Sequence, residues 1–410
     1  MLPDDLLLAP GTRLLHIGPH KTGTTTLQTA FQLVRDQLPE HGVGYFGEIL
    51  GVRHLQGALA VTNRKALLGE TVPAMSDWTS LTAQVAAEGD RRVLVSSEFF
   101  ADADDETAAR VIEGLGGRLA HIAVTLRPLT KIMPSQWQQY VQNGQRLSYQ
   151  DWLDGVLNQP PAKVPTPTFW QRHRHDRLIS RWAAAAGADR VTVVIVDESD
   201  RLMMLRTFER MLGLPAGLLV PDEAAANRSL TLGEVELVRL LNEEIKQRDW
   251  PEEIYARFMR RGAVWYLKTG RRPGEDEPRI VTPAWALKRA AEIGAEMADG
   301  ITALGVRVVG DISSLAGTPD GMTNTRPASL ETEPVLPAAA AVHAVLGAII
   351  ASKAPEQLAR GKSEGARPAR PEGRLVREVD AGTLARVLAG RGRRRVLREL
   401  QRALPRRSRA

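Results

Sequence analysis

The chain alternates short apolar runs with longer stretches in which apolar residues recur every three or four positions. Leu14, Leu15 and Ile17 make the first run, and Leu27, Phe31, Val34 and Leu38 follow with the spacing of one helix face. Strand-like runs return at 91–96, 120–126 and 190–196, with helical segments between them. This alternation predicts an α/β fold, a mostly parallel central β-sheet flanked by helices on both faces. Further along, Thr231 and Glu234 form a capping-box pair ahead of Val235, Leu237, Val238 and Leu241. Thr282 and Pro283 start a helix running to about Ala303, and 306–317 reads as a short terminal strand with a turn. Two stretches break the pattern. Residues 144–176, with prolines and exposed-looking aromatics, are expected to form a lid, an acceptor wall or a plain surface excursion. Residues 260–282, charged and rich in turn formers, are expected to be an exposed loop.

The first strand-to-helix junction, IGPHKTGTTTL at 17–27, carries chemistry. Amides of such a loop and of the first helical turn lack internal partners, and the helix dipole adds positive potential there. Gly18 and Gly23 let the backbone approach a ligand, the threonine hydroxyls add donors, and Lys21 adds a full charge. The combination predicts a site for a phosphate-like anion. A nucleoside-triphosphate loop places its lysine directly after the second glycine. Here Thr24 holds that place and the lysine lies two residues before Gly23, which favours a shorter anionic chain.

A second element lies about a hundred residues on, in HIAVTLRPLTKIMPSQW at 121–137. The run Ile122–Leu126 ends at Arg127, a planar fork suited to a phosphate. Ser135 follows Pro134, a residue suited to the first position of a helix, so Ser135 is expected to present a hydroxyl and a helix-terminal amide. Taken singly, Arg127 reads equally well as a surface arginine and Ser135 as an ordinary cap.

PHKTGTTTL resembles the 5′-phosphosulfate loop of sulfotransferases that use 3′-phosphoadenosine 5′-phosphosulfate (PAPS), which typically carry P-K-x-G-T-T. His20 stands between Pro19 and Lys21 here, a departure associated with bacterial members. Arg127 and Ser135, eight apart, resemble the family's 3′-phosphate site. The resemblance spans roughly 13–316 in organisation and implies a P-loop-like sheet with PAPS as co-substrate and no metal. It implies that Gly18, His20, Lys21, Thr22, Gly23, Thr24, Thr25 and Thr26 surround the phosphosulfate, with Lys21 on the bridging oxygen. An Asn-x-Ser before a helix, Asn227–Ser229, is also similar to a family feature near the nucleotide.

Transfer to a hydroxyl needs a proton acceptor. RRVLVSSEFF, 91–100, reads as a strand whose end exposes Ser96, Ser97 and Glu98, on the same rim as Lys21 and Arg127 if the sheet is parallel. Glu98 resembles the glutamate that some sulfotransferases use as base; a solvated surface carboxylate gives the same string. Three histidines compete for the same role: His54 ranks second and His20 third, ahead of His16, which alternates with apolar neighbours on the first strand. VTVVIVDES, 191–199, ends in Asp197 and Glu198, the pattern of a magnesium-binding strand, which keeps an ATP-dependent phosphotransferase as an alternative. A non-catalytic sulfotransferase-like scaffold is a third.

Charge separates the C-terminus from the rest. Residues 360–410 hold 16 Lys and Arg against 5 acidic residues, so +11 of the chain's net +6 lies there and −5 remains for 1–359. The organisation expected is a catalytic α/β domain over 1–317, a linker with an Ala-rich helix over 318–359, and a basic, partly helical tail over 360–410. Leu397, Leu400 and Leu404 share a helical face among arginines, which suits an anionic membrane surface or an acidic partner as well as a plain solvated helix. No basic-aromatic alternation points to nucleic acid. The chain has 0 cysteines, which excludes disulfides and thiolate chemistry. The acidic MLPDD start lacks a signal peptide's pattern, and no apolar run is long enough to span a bilayer, so the expected address is cytoplasmic, with peripheral membrane contact through the tail.

Overall fold

Both faces of the strands are apolar, which requires cover on both sides. The computed structural model, which describes residues 5–46, 52–65, 71–160, 163–222, 228–317 and 335–352, supplies that cover with helices. The strands are β1 (Arg13–Ile17), β2 (Val43–Tyr45), β3 (Arg92–Ser96), β4 (Ala120–Leu126), β5 (Val191–Ile195) and β6 (Arg307–Val309). They form one six-stranded sheet in the order β2-β3-β1-β4-β5-β6, every pairing parallel. The expected α/β architecture is therefore present, and β1 lies at its centre.

The α-helices, in chain order, are α1 (Thr24–Leu33), α2 (Val52–Val61), α3 (Met75–Ala87), α4 (Asp105–Gly114), α5 (Leu129–Val141), α6 (Tyr149–Leu157) and α7 (Thr168–His173). They continue with α8 (His175–Ala186), α9 (Met203–Leu212), α10 (Leu232–Gln247), α11 (Glu252–Ile254), α12 (Trp265–Gly270), α13 (Ala284–Ala303) and α14 (Ala338–Ala351), with a π-helix over Tyr255–Val264. Leu15, Ile17, Val124 and Val193 point to one sheet face and pack with Leu178, Trp182 and Ile301. Leu14, Leu94, Ala123 and Val194 point to the other and pack with Leu27, Phe31 and Phe208. A third cluster, built around Trp137, Tyr149, Trp152 and Phe169, contains no strand residue and is drawn mainly from helices.

Three expectations change. Residues 144–176 are no lid: α6 and α7 occupy about half of the described part, and Tyr149, Trp152 and Phe169 are buried in the third cluster. Their ring contacts, 5.3 Å between Trp152 and Phe169, stabilise a core rather than a surface. Residues 260–282 are helical as far as Gly270, and the coil after it is anchored because Arg271 is buried in ion pairs with Glu234 and Glu277. Pro134 does not start a helix. Helix α5 begins at Leu129 behind Pro128, and Pro134 lies inside it. The sequence pattern did not reveal β2, whose three residues are too few for a periodicity.

The capping box at Thr231 and Glu234 is present, and Glu234 also holds Arg228. Helix α14 lies against the π-helix so closely that a Cβ on Gly347 would meet the Gly262 carbonyl oxygen at 2.5 Å. Arg257 donates to the Ala351 and Ser352 carbonyls at 2.7 and 3.0 Å. Asn227, residues 318–334 and the basic tail lie outside the described residues. Among the described residues no helix is long and apolar enough to cross a membrane.

Candidate functional site

The loop after β1 is shaped by its own side chains. Thr24 donates its hydroxyl to the Gly18 carbonyl at 2.9 Å, and a Cβ on Gly18 would sit 1.9 Å from that hydroxyl, so only glycine fits. Gly23 adopts φ 98° and Lys21 φ 73°, a left-handed conformation that costs a non-glycine residue energy and marks a functional backbone. Thr22 is buried, donating to the Pro19 carbonyl at 2.7 Å and meeting Thr125 at 3.1 Å. Hence the hydroxyls of Thr22 and Thr24 hold the loop and are not spare donors, contrary to expectation. Thr25 and Thr26 are exposed in the first turn of α1, where the free amides also lie.

Beneath the loop runs a buried polar chain. His16 meets Ser96 at 2.8 Å through Nδ1 and Thr125 at 3.0 Å through Nε2, and Thr125 continues to Thr22. Burial brings the His16 imidazole down to about 3, so it is neutral. Parallel register explains the chain, because His16 is level with Ser96 on one side and Ala123 on the other.

Lys21 donates to Gln139 Oε1 of α5 at 3.2 Å. Burial brings its ammonium down to about 8, with Lys268 and Arg260 adding repulsion and Glu98 opposing it. Arg260 in turn reaches Asn143, one turn beyond Gln139. A crowd of cations around a half-buried lysine is relieved by an anion.

Arg127 does join the loop. Its Nη1 donates to the Lys21 carbonyl at 3.1 Å, while Nη2 is paired with Glu198, which also holds Lys131 at 3.0 Å. Ser135 is corrected in position: its hydroxyl donates back to the Ile132 carbonyl at 3.0 Å inside α5, and it offers no helix-terminal amide. It nonetheless falls on a stripe with Lys131 and Gln139, each four residues apart, and these three and Pro134 are the half-buried residues of α5. Gln139 and Lys131 were missed in the sequence. Their i, i+4, i+8 spacing is visible in the sequence, but Thr130, Gln136 and Gln138 in the same helix mask it, and burial alone separates the two sets.

Glu98 lies past the end of β3 in a short 3₁₀ turn, half-buried, near Lys21. Burial pushes its carboxyl up, against its own amide, Arg172 and Lys21. The turn ends at Asp102, whose buried carboxylate receives Arg172 at 2.5 and 2.6 Å and Arg64 at 3.0 Å. His54 is a poor base: its ring is fully buried, Nδ1 accepts the Ser96 amide at 3.3 Å, and Tyr45 packs on it. His20 packs edge-on against Phe99 and its Nε2 is buried without a partner. Burial, Arg172, His173 and Lys21 hold it well below its ordinary value, so it is neutral too.

A cavity of about 840 Å³ opens on the same rim, lined by Lys131, Glu198, Met203, Arg206, Gly310 and Asp311 among others. Among the described residues no group of three or more His, Asp or Glu is arranged to hold a metal ion. No family model matches the chain. No curated protein matches it. Among solved structures it is similar to a sulfotransferase from Alicyclobacillus acidocaldarius, with 17% identity, a TM-score of 0.38, and coverage of 58% of this chain and 93% of that one. A likeness of that degree says nothing about activity; the side chains on the rim have to.

Proposed function

We propose that the chain is a PAPS-dependent sulfotransferase acting on an acceptor hydroxyl. The observation that carries this reading is the contact between Arg127 and the Lys21 carbonyl, which brings two anion-binding elements of different strands to one place. One loop with a lysine serves a 5′-phosphosulfate, and an arginine beside it serves a second phosphate on the same nucleotide. The rim cavity, lined by the Lys131 and Glu198 that neighbour Arg127, has room for a nucleoside.

In the reaction the bond from sulfur to the bridging phosphate oxygen breaks as a bond from sulfur to the acceptor oxygen forms. Lys21 and the amides of Thr24–Thr26 neutralise charge on the departing phosphate. Glu98 takes the acceptor proton, and its raised affinity for protons suits that task. The products are the sulfated acceptor and adenosine 3′,5′-bisphosphate. A carbohydrate or glycolipid hydroxyl is the acceptor class proposed, and contact of the basic tail with an anionic membrane would suit it.

The phosphotransferase alternative needs the acidic end of β5 to face a magnesium ion. Glu198 instead faces Arg127 and Lys131, and Asp197 accepts from Ser199 at 2.8 Å. The test is calorimetric titration with adenosine 3′,5′-bisphosphate, AMP and magnesium-ATP. Preference for the bisphosphate, lost in Arg127→Ala, is expected. Preference for magnesium-ATP would put the phosphotransferase first, and no binding would favour the scaffold.

A further inference from the structure

Glu198 leaves the end of β5 and spreads its two carboxylate oxygens over two cations. Oε1 accepts from Arg127 Nη2, and Oε2 lies 3.0 Å from Lys131 Nζ. Those cations are four residues apart, one at the end of β4 and one in the first turn of α5, and all three side chains border on solvent, at 27% exposure for Arg127, 35% for Lys131 and 44% for Glu198. Lys131 and Glu198 also line the rim cavity. The remaining donor of the fork, Arg127 Nε, is buried and has no partner.

We infer that Arg127 and Lys131 form one two-cation seat for a phosphate, and that Glu198 fills this seat until the phosphate displaces it. Glu198 thereby sets both the tightness of nucleotide binding and the preference for a nucleotide with a second phosphate. That the occupant is the 3′-phosphate of a sulfuryl donor rests on the function proposed above; the seat itself does not. Three considerations support displacement. A phosphate brings more charge than a carboxylate and a third acceptor, which the unpartnered Nε can use. A half-exposed carboxylate returns to water at small cost, since ion pairs of this kind are worth little. Arg127 keeps its orientation when Glu198 leaves, because Nη1 remains fastened to the Lys21 carbonyl at 3.1 Å.

The experiment is calorimetric titration of the full chain and of Glu198→Gln, Lys131→Ala and Arg127→Ala variants with adenosine 3′,5′-bisphosphate, AMP and inorganic pyrophosphate. Glu198→Gln is expected to tighten the bisphosphate about two- to fivefold, the scale of a half-exposed ion pair, and to leave AMP unchanged. Lys131→Ala should weaken the bisphosphate and not AMP. If the parent chain binds the bisphosphate and Glu198→Gln binds it equally or more weakly, Glu198 is an orienting partner and the inference fails while the proposed function stands. If the parent chain ignores the bisphosphate but Glu198→Gln gains binding of pyrophosphate that the Glu198→Gln, Arg127→Ala double variant lacks, the seat stands and the proposed function falls. If no variant binds any of the three, both fall.

Discussion

Arg127 holds Lys21 by its backbone and not by its charge: the guanidinium donates to the lysine's carbonyl at 3.1 Å, leaving the ammonium to turn toward Gln139. The two cations therefore act on different parts of a ligand. Lys21→Ala should lower the rate of transfer by about 10²–10³-fold, the usual loss when a group that neutralises developing charge is removed. Bisphosphate affinity should change far less. Arg127→Ala should do the reverse and chiefly weaken the nucleotide. Steady-state kinetics with a sulfuryl donor, beside titration with the bisphosphate, separates the two; unchanged activity in both variants would sink the assignment.

Glu98→Gln keeps the size of the side chain and removes the base. Transfer is expected to fall by about 10²–10⁴-fold with nucleotide binding retained. Parallel loss of nucleotide binding would show instead that Glu98 organises the loop.

The pH profile follows from the same two groups. Glu98 must be ionised to accept a proton, and burial has raised its pKa, so kcat/KM should climb as pH rises through a value above the ordinary carboxylate range. Lys21 must be charged, and in the free protein its ammonium has been brought down to about 8, so kcat/KM should decline as pH rises past about 8. Glu98→Gln should abolish the acid limb only. A profile flat from pH 6 to pH 9 would contradict the role of Lys21.

Two substitutions test the framework. Arg172→Met strips the principal partner from the buried Asp102 carboxylate, and removal of one member of a buried pair typically costs about 3–5 kcal/mol. Trp152→Ala empties the centre of the helical cluster and should cost about 3–5 kcal/mol as well. Chemical denaturation measures both. A small effect of Trp152→Ala would mean that the aromatics of 144–176 are surface features after all.

Much of the sheet was legible in the sequence because buried parallel strands are unbroken apolar runs, and the runs at 91–96, 120–126 and 190–196 correspond to β3, β4 and β5 within a residue or two. Parallel pairing then places Glu98 and Arg127 on the rim, as strand ends must be. What was not legible depended on contacts between distant segments. Pro134 has the same local preference inside α5 as at a helix start, and only the burial of Leu129, Ile132 and Met133 ahead of it settles which holds. The aromatics of α6 and α7 read as exposed because their burial comes from packing between helices, against the neighbouring α5 and against α13 far along the chain. Glu198 read as a metal ligand because a string of letters cannot show that two cations from another strand end and helix have claimed it.

The meeting of Gly262 and Gly347 has a bearing on biosynthesis. The π-helix carries Arg260 and leads to Lys268, both of which bear on Lys21, and α14 braces that π-helix backbone against backbone. Sheet, loop and rim are all encoded before residue 317, yet this brace is translated after residue 337. A nascent chain therefore completes its anion-binding loop, and even the wall opposite it, before the helix that steadies that wall has been made.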